Sequence, residues 1–288
     1  MIYGLARHAF APLNGAMPRP PRRHSHRPAE RPTKPPRQGW DPVAAWYDKL
    51  VGDAGSDYHQ NVIIPACLKM LDAQAGESVI DICCGQGVLA HALRDAKLKR
   101  YLGIDASPRL IDAARQRHGQ NDQIRWLVAD ACQSGSWADG SHDAAACIMA
   151  VHDVEDLTGL FRNLAHSLRI GGRAIIIQMH PCFRIPRQSH WGWDADQKIQ
   201  YRRLDAYSTA QNIEVVTHPS QSQGQHTHFF HRPLSQLLTS MGQAGLACVA
   251  CEELHSHRRS QVGPFSKAEH RAAAEFPLFL AIKTIRQI

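Results

Sequence analysis

A chain of 288 residues with 43% hydrophobic side chains can bury one substantial core, and nothing in its pattern calls for two. The net charge of +7 resides in the first 37 residues, where eight Arg and Lys face only Glu30, so the balanced remainder gives no bulk argument for nucleic acid. Met1–Ala16 is broken by Arg7, His8, Pro12 and Asn14 and reads as neither a secretory core nor a membrane span.

Residues 1–37 are expected to be a basic tail. From Pro18 to Arg37 it is too rich in Pro and Arg to repay the entropy of ordering. A solvated extension is the bland reading of this tail; an arm that attracts RNA or a membrane surface is the sharper one. Residues 38–288 are read as one domain. Asp41–Leu50 and Asp57–Leu71 carry helical apolar spacing, the second with a kink or fresh start at Pro65. Then strands are predicted at Ser78–Cys83, Arg100–Ile104, Ile124–Val128, Asp143–Met149 and Arg173–Met179, with helices at Gly87–Arg94, Pro108–Arg117 and Leu157–Leu168 between them. Strands that are apolar throughout suit a parallel sheet covered on both faces, so the fold class is α/β with a doubly wound, mostly parallel sheet. The rhythm breaks at about 180–232, an insertion rich in aromatic, Arg and His residues. It resumes with a helix at Pro233–Ala244, a strand near Leu246–Glu252, a short helix near Lys267–Ala274 and a closing antiparallel strand at Leu278–Thr284.

The chemistry starts at Val79-Ile80-Asp81-Ile82-Cys83-Cys84-Gly85-Gln86-Gly87, a strand running into a glycine-bearing turn that opens a helix. Gly85-x-Gly87-x-x-Ala90 also imitates a dinucleotide fingerprint. Charge separates the two readings, because Asp81 would repel a pyrophosphate but suits a cationic, phosphate-free ligand. Asp105 ends the next strand at the spacing that meets ribose hydroxyls. Asp130 closes the third strand, where a carboxylate could accept from an adenine amino group. Each acid alone has a bland alternative as a helix cap or turn residue.

With these residues in place the chain resembles the class I S-adenosylmethionine-dependent methyltransferase family, whose first motif is an acidic residue followed by x-Gly-x-Gly-x-Gly. Cys83 departs from it by replacing the first glycine. The resemblance implies the Rossmann-like methyltransferase fold and S-adenosylmethionine as cofactor. It further implies that Asp81, Cys83, Gly85 and Gly87 surround the methionine part, Asp105 the ribose, and Ala106, Asp130 and Ala131 the adenine. Met149 and Ala150 would lie near the methyl group, and Tyr58 would contact the cofactor from a lead-in helix.

Methyl transfer from a sulfonium depends mostly on positioning, so a base is optional. His152 and His180, after the fourth and fifth strands, and His231, at the turn into the next helix, are the candidate catalytic bases. The insertion reads as a substrate cap whose aromatic residues enclose a compact acceptor and whose Arg184, Arg187, Arg202 and Arg203 could hold an anionic one. His226, His228 and His231 do not share one strand face, and no metal is expected. Cys248 and Cys251 form a lone CxxC on a strand and read as packed thiols; eight cysteines without a secretory segment read as reduced and cytoplasmic. The expected function is methyl transfer to a small molecule. The alternatives are an RNA or protein methyltransferase that captures its substrate with the tail, a nicotinamide-dependent oxidoreductase, and a cofactor-binding protein without catalysis.

Overall fold

The computed structural model describes residues 40–216 and 226–287, so the tail lies outside the described residues. The uniformly apolar runs become the strands of one seven-stranded sheet: β1 (Ser78–Ile82), β2 (Arg100–Asp105), β3 (Ile124–Val128), β4 (His142–Ile148), β5 (Leu168–Met179), β10 (Leu246–Leu254) and β11 (Phe279–Arg286). Their order is β10-β11-β5-β4-β1-β2-β3. β1 to β5 pair in parallel, whereas β11 runs antiparallel to both of its neighbours.

Side chains that alternate across each strand supply two cores, which is why these strands are mostly apolar. Ile80, Ile82, Ala145, Cys147, Ala174 and Ile176 face α5 (Leu157–Ser167) and α6 (Leu234–Gln243). Val79, Ala144, Ala146, Ile175 and Ile177 face α2 (Ile64–Leu71), α3 (Val88–Leu93) and α4 (Pro108–His118). The first predicted helix is a 3-10 turn at Asp41–Val43 followed by α1 (Ala44–Val51). The second makes its fresh start as expected: a wide π turn at His59–Ile63 hands over to α2 with Pro65 in the first turn, where its missing N–H costs nothing.

Three expectations need correction. β5 begins at Leu168, not Arg173, because Gly171 with φ +76° lets the strand kink where its register on β4 shifts. Cys248 and Cys251 are exposed on the edge strand β10 rather than packed. The insertion, for which no element was read, holds two antiparallel hairpins, β6 (Ser189–Asp194) with β7 (Ile199–Leu204) and β8 (Gln211–Val216) with β9 (His226–His231). The second hairpin packs Ile213 and Phe229 against Ile185 and Met179 at the end of β5. Helix α7 (Ser266–Glu275) and β11 complete the order. No helix among the described residues is long and apolar enough to cross a membrane.

Candidate active site

The C-terminal ends of the parallel strands, where a doubly wound sheet opens its crevice, bring together the turn after β1, Asp105, the loop after β4 and the start of the cap. The turn carries left-handed backbone at Cys83 (φ +60°), Gly85 (φ +56°) and Gly87 (φ +88°). Glycine adopts this conformation freely, whereas a side chain pays on the order of 1–2 kcal/mol, which accounts for the glycine the family pattern has at position 83. The Cys83 thiol is held protonated, its pKa pushed well up by a hydrogen bond with Cys147 and by burial.

Two glycines of the turn serve different ends. A Cβ on Gly87 would lie 2.6 Å from the Trp126 indole and 2.8 Å from His118, so Gly87 is fixed by packing. A Cβ on Gly85 would meet only the Tyr47 ring, at 3.8 Å, so its backbone borders a space between the turn and that ring. Asp105 sits beneath. Its Oδ2 accepts the Gly85 N–H (3.0 Å) and its Oδ1 the Ser107 N–H (2.8 Å), and with the Ala106 N–H also on the carboxylate, acceptor capacity for a further donor remains. Burial nevertheless raises its pKa.

Tyr47 is the residue that spacing alone did not find, although Trp40 and Tyr47 lie seven residues apart and their rings meet at 4.9 Å. Burial raises the phenol's pKa, and the nearby carboxylates of Asp153 and then Asp105 push the same way, so it stays a donor. The lead-in segment is clamped over the crevice. Asp41 accepts from the Ser107 hydroxyl (2.7 Å) and the Arg109 N–H (3.1 Å), and Arg117 of α4 pairs with Asp48 and Asp53.

Asp81 is not at the open mouth. It is 2% exposed, accepts the Tyr101 hydroxyl at 2.7 Å, and has a pKa pushed up to about 7, chiefly by burial. The acids around the Tyr47 side of the crevice are Asp105 and Asp153. Asp130 is exposed after β3 with Oδ1 on the Cys132 N–H (2.9 Å), an Asx turn; beside it Ala131 is buried, and Ala106 is exposed after β2. Met149 and Ala150 are buried at the end of β4, with Met149 in left-handed backbone (φ +56°). Tyr58 precedes the π turn that leads into α2. Its hydroxyl is 3.1 Å from that of Ser256, and its ring packs on Phe279 and under the Arg258 guanidinium.

The three histidines are buried and built into the framework. His152 stacks on Phe229 (4.9 Å), and burial, assisted by Arg232, draws its pKa down to about 3. His180 Nδ1 accepts the Cys182 N–H (3.2 Å), so its Nε2–H donates to Glu253 (2.8 Å); burial outweighs that carboxylate and lowers its pKa. His231 donates from Nε2 to the Tyr207 carbonyl (2.7 Å). A group held neutral in this way is a weak proton acceptor near neutrality. The His-rich strand β9 disperses: His226 lies 3.3 Å from Glu214, His228 2.7 Å from Asn212, and no group of three metal-type ligands occurs among the described residues.

A cavity of about 590 Å³ lies elsewhere, beside Trp126 and Trp137 where no helix links β3 to β4. It borders Arg100 and His142, the first residues of β2 and β4, at the opposite end of the strands.

Comparison with known proteins agrees with this geometry. A family described as a methyltransferase domain matches residues 80–176, from β1 through most of β5. The demethylmenaquinone methyltransferase of Tropheryma whipplei (strain Twist) is 30% identical over 148 residues, 50% of this chain and 59% of that protein. The 2-phytyl-1,4-naphtoquinone methyltransferase of Synechococcus elongatus is 30% identical over 146 residues, 49% of this chain and 62% of that one. The chain thus spans about three fifths of the length of these curated relatives. The crystal structure of an S-adenosylmethionine dependent methyltransferase from Mesorhizobium loti matches with a TM-score of 0.60 at 25% identity, over 77% of this chain and 96% of that one. By its strand order, its nucleotide turn and these matches, the chain has the Rossmann-like methyltransferase fold and carries a methyltransferase domain over residues 80–176.

Proposed function

We propose that the protein transfers a methyl group from S-adenosylmethionine to a small-molecule acceptor enclosed by the cap. The observation that carries this reading is the Gly85 turn, tied to Asp105 and facing Tyr47. That arrangement fits the cofactor. The backbone at Gly85 can be approached closely, Asp105 keeps acceptor capacity for ribose hydroxyls, and two carboxylates beside Tyr47 suit a cation and repel a pyrophosphate.

When bound, S-adenosylmethionine supplies a methyl group already activated on a sulfonium, so no acid is needed for the leaving group. The chain's residues then have to bind, orient and exclude water. Asp105 fixes the nucleoside end, and Asp130 and Ala131 border the place for the base. Met149 and Ala150 form the floor between cofactor and acceptor, and Tyr47 with Trp40 covers the crevice from the lead-in helix. His152, His180 and His231 hold the floor and cap in place, and a base is not required of them. The named activities of the quinone methyltransferase relatives are compatible with a compact acceptor.

Calorimetry tests the reading. S-adenosylhomocysteine is expected to bind and NADH not to, and Asp105→Ala should weaken S-adenosylhomocysteine binding by roughly ten- to a hundredfold, the worth of hydrogen bonds to a charged group. Tight NADH binding, or an Asp105→Ala protein with wild-type affinity, would overturn it.

A further inference from the structure

Two arginines of the cap share one aromatic ring. Trp191 and Arg202 are directly opposed across the β6–β7 hairpin, and the Arg202 guanidinium lies 5.0 Å from the indole centroid. Arg184, from the loop that leaves β5, lies 5.6 Å from the same ring. Of the four cap arginines singled out in the sequence, these two turn inward. Arg187 is exposed, and Arg203 is satisfied by Asp205 at 2.5 Å.

The inward pair lacks a counter-charge. Arg202 donates to the Phe183 carbonyl (3.0 Å) and the Ser189 hydroxyl (2.6 Å), and Arg184 keeps a buried Nε without a partner; neither pairs with a carboxylate among the described residues. Neighbouring cations are treated differently, since Arg258, over Tyr58, is bound by Asp57 at 2.6 Å. Burying like charges side by side is costly unless something anionic offsets them. The strain registers on both groups: burial, then repulsion from Arg202, draws the Arg184 pKa down to about 10, and burial alone draws Arg202 to about 10.

The position is the acceptor side of the sheet. Arg184 follows His180 and Met179 at the end of β5, close to Tyr58, which packs on Phe279 opposite Met179. β5 is separated from the nucleotide turn of β1 only by β4, two strand spacings or roughly 10 Å. A molecule anchored there can reach across β4 toward Met149. We propose that Arg184 and Arg202, stacked against Trp191, hold a carboxylate of the methyl acceptor, whose planar body lies on the aromatic side of the cap. Two guanidinium forks match a carboxylate's two oxygens, and the indole offers a flat apolar wall. This rests on the methyl-transfer reading above and gives it a substrate class, an anionic small molecule, distinct from the quinones named for the relatives.

Benzoate and benzamide, equal in shape and different in charge, are the probes, titrated by calorimetry or NMR into the full chain saturated with S-adenosylhomocysteine. Benzoate is expected to bind at least tenfold more tightly than benzamide. Arg184→Gln and Arg202→Gln should each weaken benzoate at least tenfold while leaving S-adenosylhomocysteine affinity within twofold. The wild-type comparison needs no variant to fold, and Arg184→Lys, which keeps the charge without the fork, should retain part of the affinity. Equal binding of the two probes overturns the proposal, as does undiminished benzoate binding to both Gln variants. A parallel tenfold loss of S-adenosylhomocysteine would assign the pair to the cofactor's own carboxylate instead. Inorganic phosphate binding more tightly than benzoate would overturn the carboxylate class. If the wild-type protein fails to bind S-adenosylhomocysteine at all, the methyl-transfer reading falls and this one with it; if that binding stands and benzoate fails, only this one falls.

Discussion

Asp81 and Asp105 are both carboxylates at the nucleotide turn, yet burial gives them different work. Sealed at 2% exposure with a pKa raised to about 7, Asp81 is partly protonated near neutrality in the free protein. A ligand carrying an ammonium favours its ionised form, so binding expels a proton and affinity rises with pH until Asp81 is ionised. S-adenosylhomocysteine affinity measured by calorimetry is therefore expected to fall by about tenfold from pH 8 to pH 6, and Asp81→Asn should flatten that slope; a flat wild-type profile would contradict it. The stability sign runs the other way. An acid whose folded pKa lies above its unfolded value of 3.8 leaves the native state less stable as pH climbs from about 4 to about 7, and the cost persists above. Asp81→Asn should then raise the melting temperature of the ligand-free protein at pH 8 while weakening its ligand, an exchange of stability for function read by thermal denaturation. The motif around Asp81 was legible as spacing. That its carboxylate turns inward to Tyr101 was not, because a strand residue's partner across the sheet depends on register.

At the scale of elements, the cap and the lead-in helix frame the crevice, and each is tied down by a few polar anchors. Arg232, between β9 and α6, donates to the carbonyls of Val154 and Glu155 (2.6 Å each) and reaches that of Val151 (3.3 Å), stapling the cap to the loop after β4. Arg232→Ala would leave those carbonyls without their donor and is expected to cost about 2–3 kcal/mol in urea unfolding. Hydrogen exchange should quicken at residues 151–155 and 226–231, and unchanged protection there would count against the staple. The strands and helices of the sheet were legible because burial on both faces writes itself into uniform apolar runs. The hairpins were not, since β6 to β8 are half-exposed and polar, as their intermediate burial shows, and β9 hides an alternation of Thr227, Phe229 and His231 inside a run read as His-rich. Histidine identity likewise pointed to bases, while the hydrogen bonds of His180 to Glu253 and of His231 to the Tyr207 carbonyl depend on the fold and could not be read from spacing.

Across the whole molecule, the strand ends gather what the sequence scatters from Trp40 to Arg258, and the excess charge belongs to the first 37 residues alone. Deleting residues 1–37 is accordingly expected to leave S-adenosylhomocysteine affinity within about twofold and its salt dependence unchanged, because the remaining chain is charge-balanced and supplies the crevice residues named above. What the linear chain conveyed was the order of acids and glycines at successive strand ends. What it withheld was that the Tyr47 ring faces the Gly85 turn, a placement set by how the lead-in segment is clamped on α4 through Asp41, Asp48 and Arg117. The most direct test is a crystal structure of the full chain with S-adenosylhomocysteine. The expected result is ribose hydroxyls on Asp105, the amino-acid end against Gly85, and the Tyr47 ring closed over them; a ligand bound away from this crevice, or one that leaves Asp105 untouched, would contradict the account.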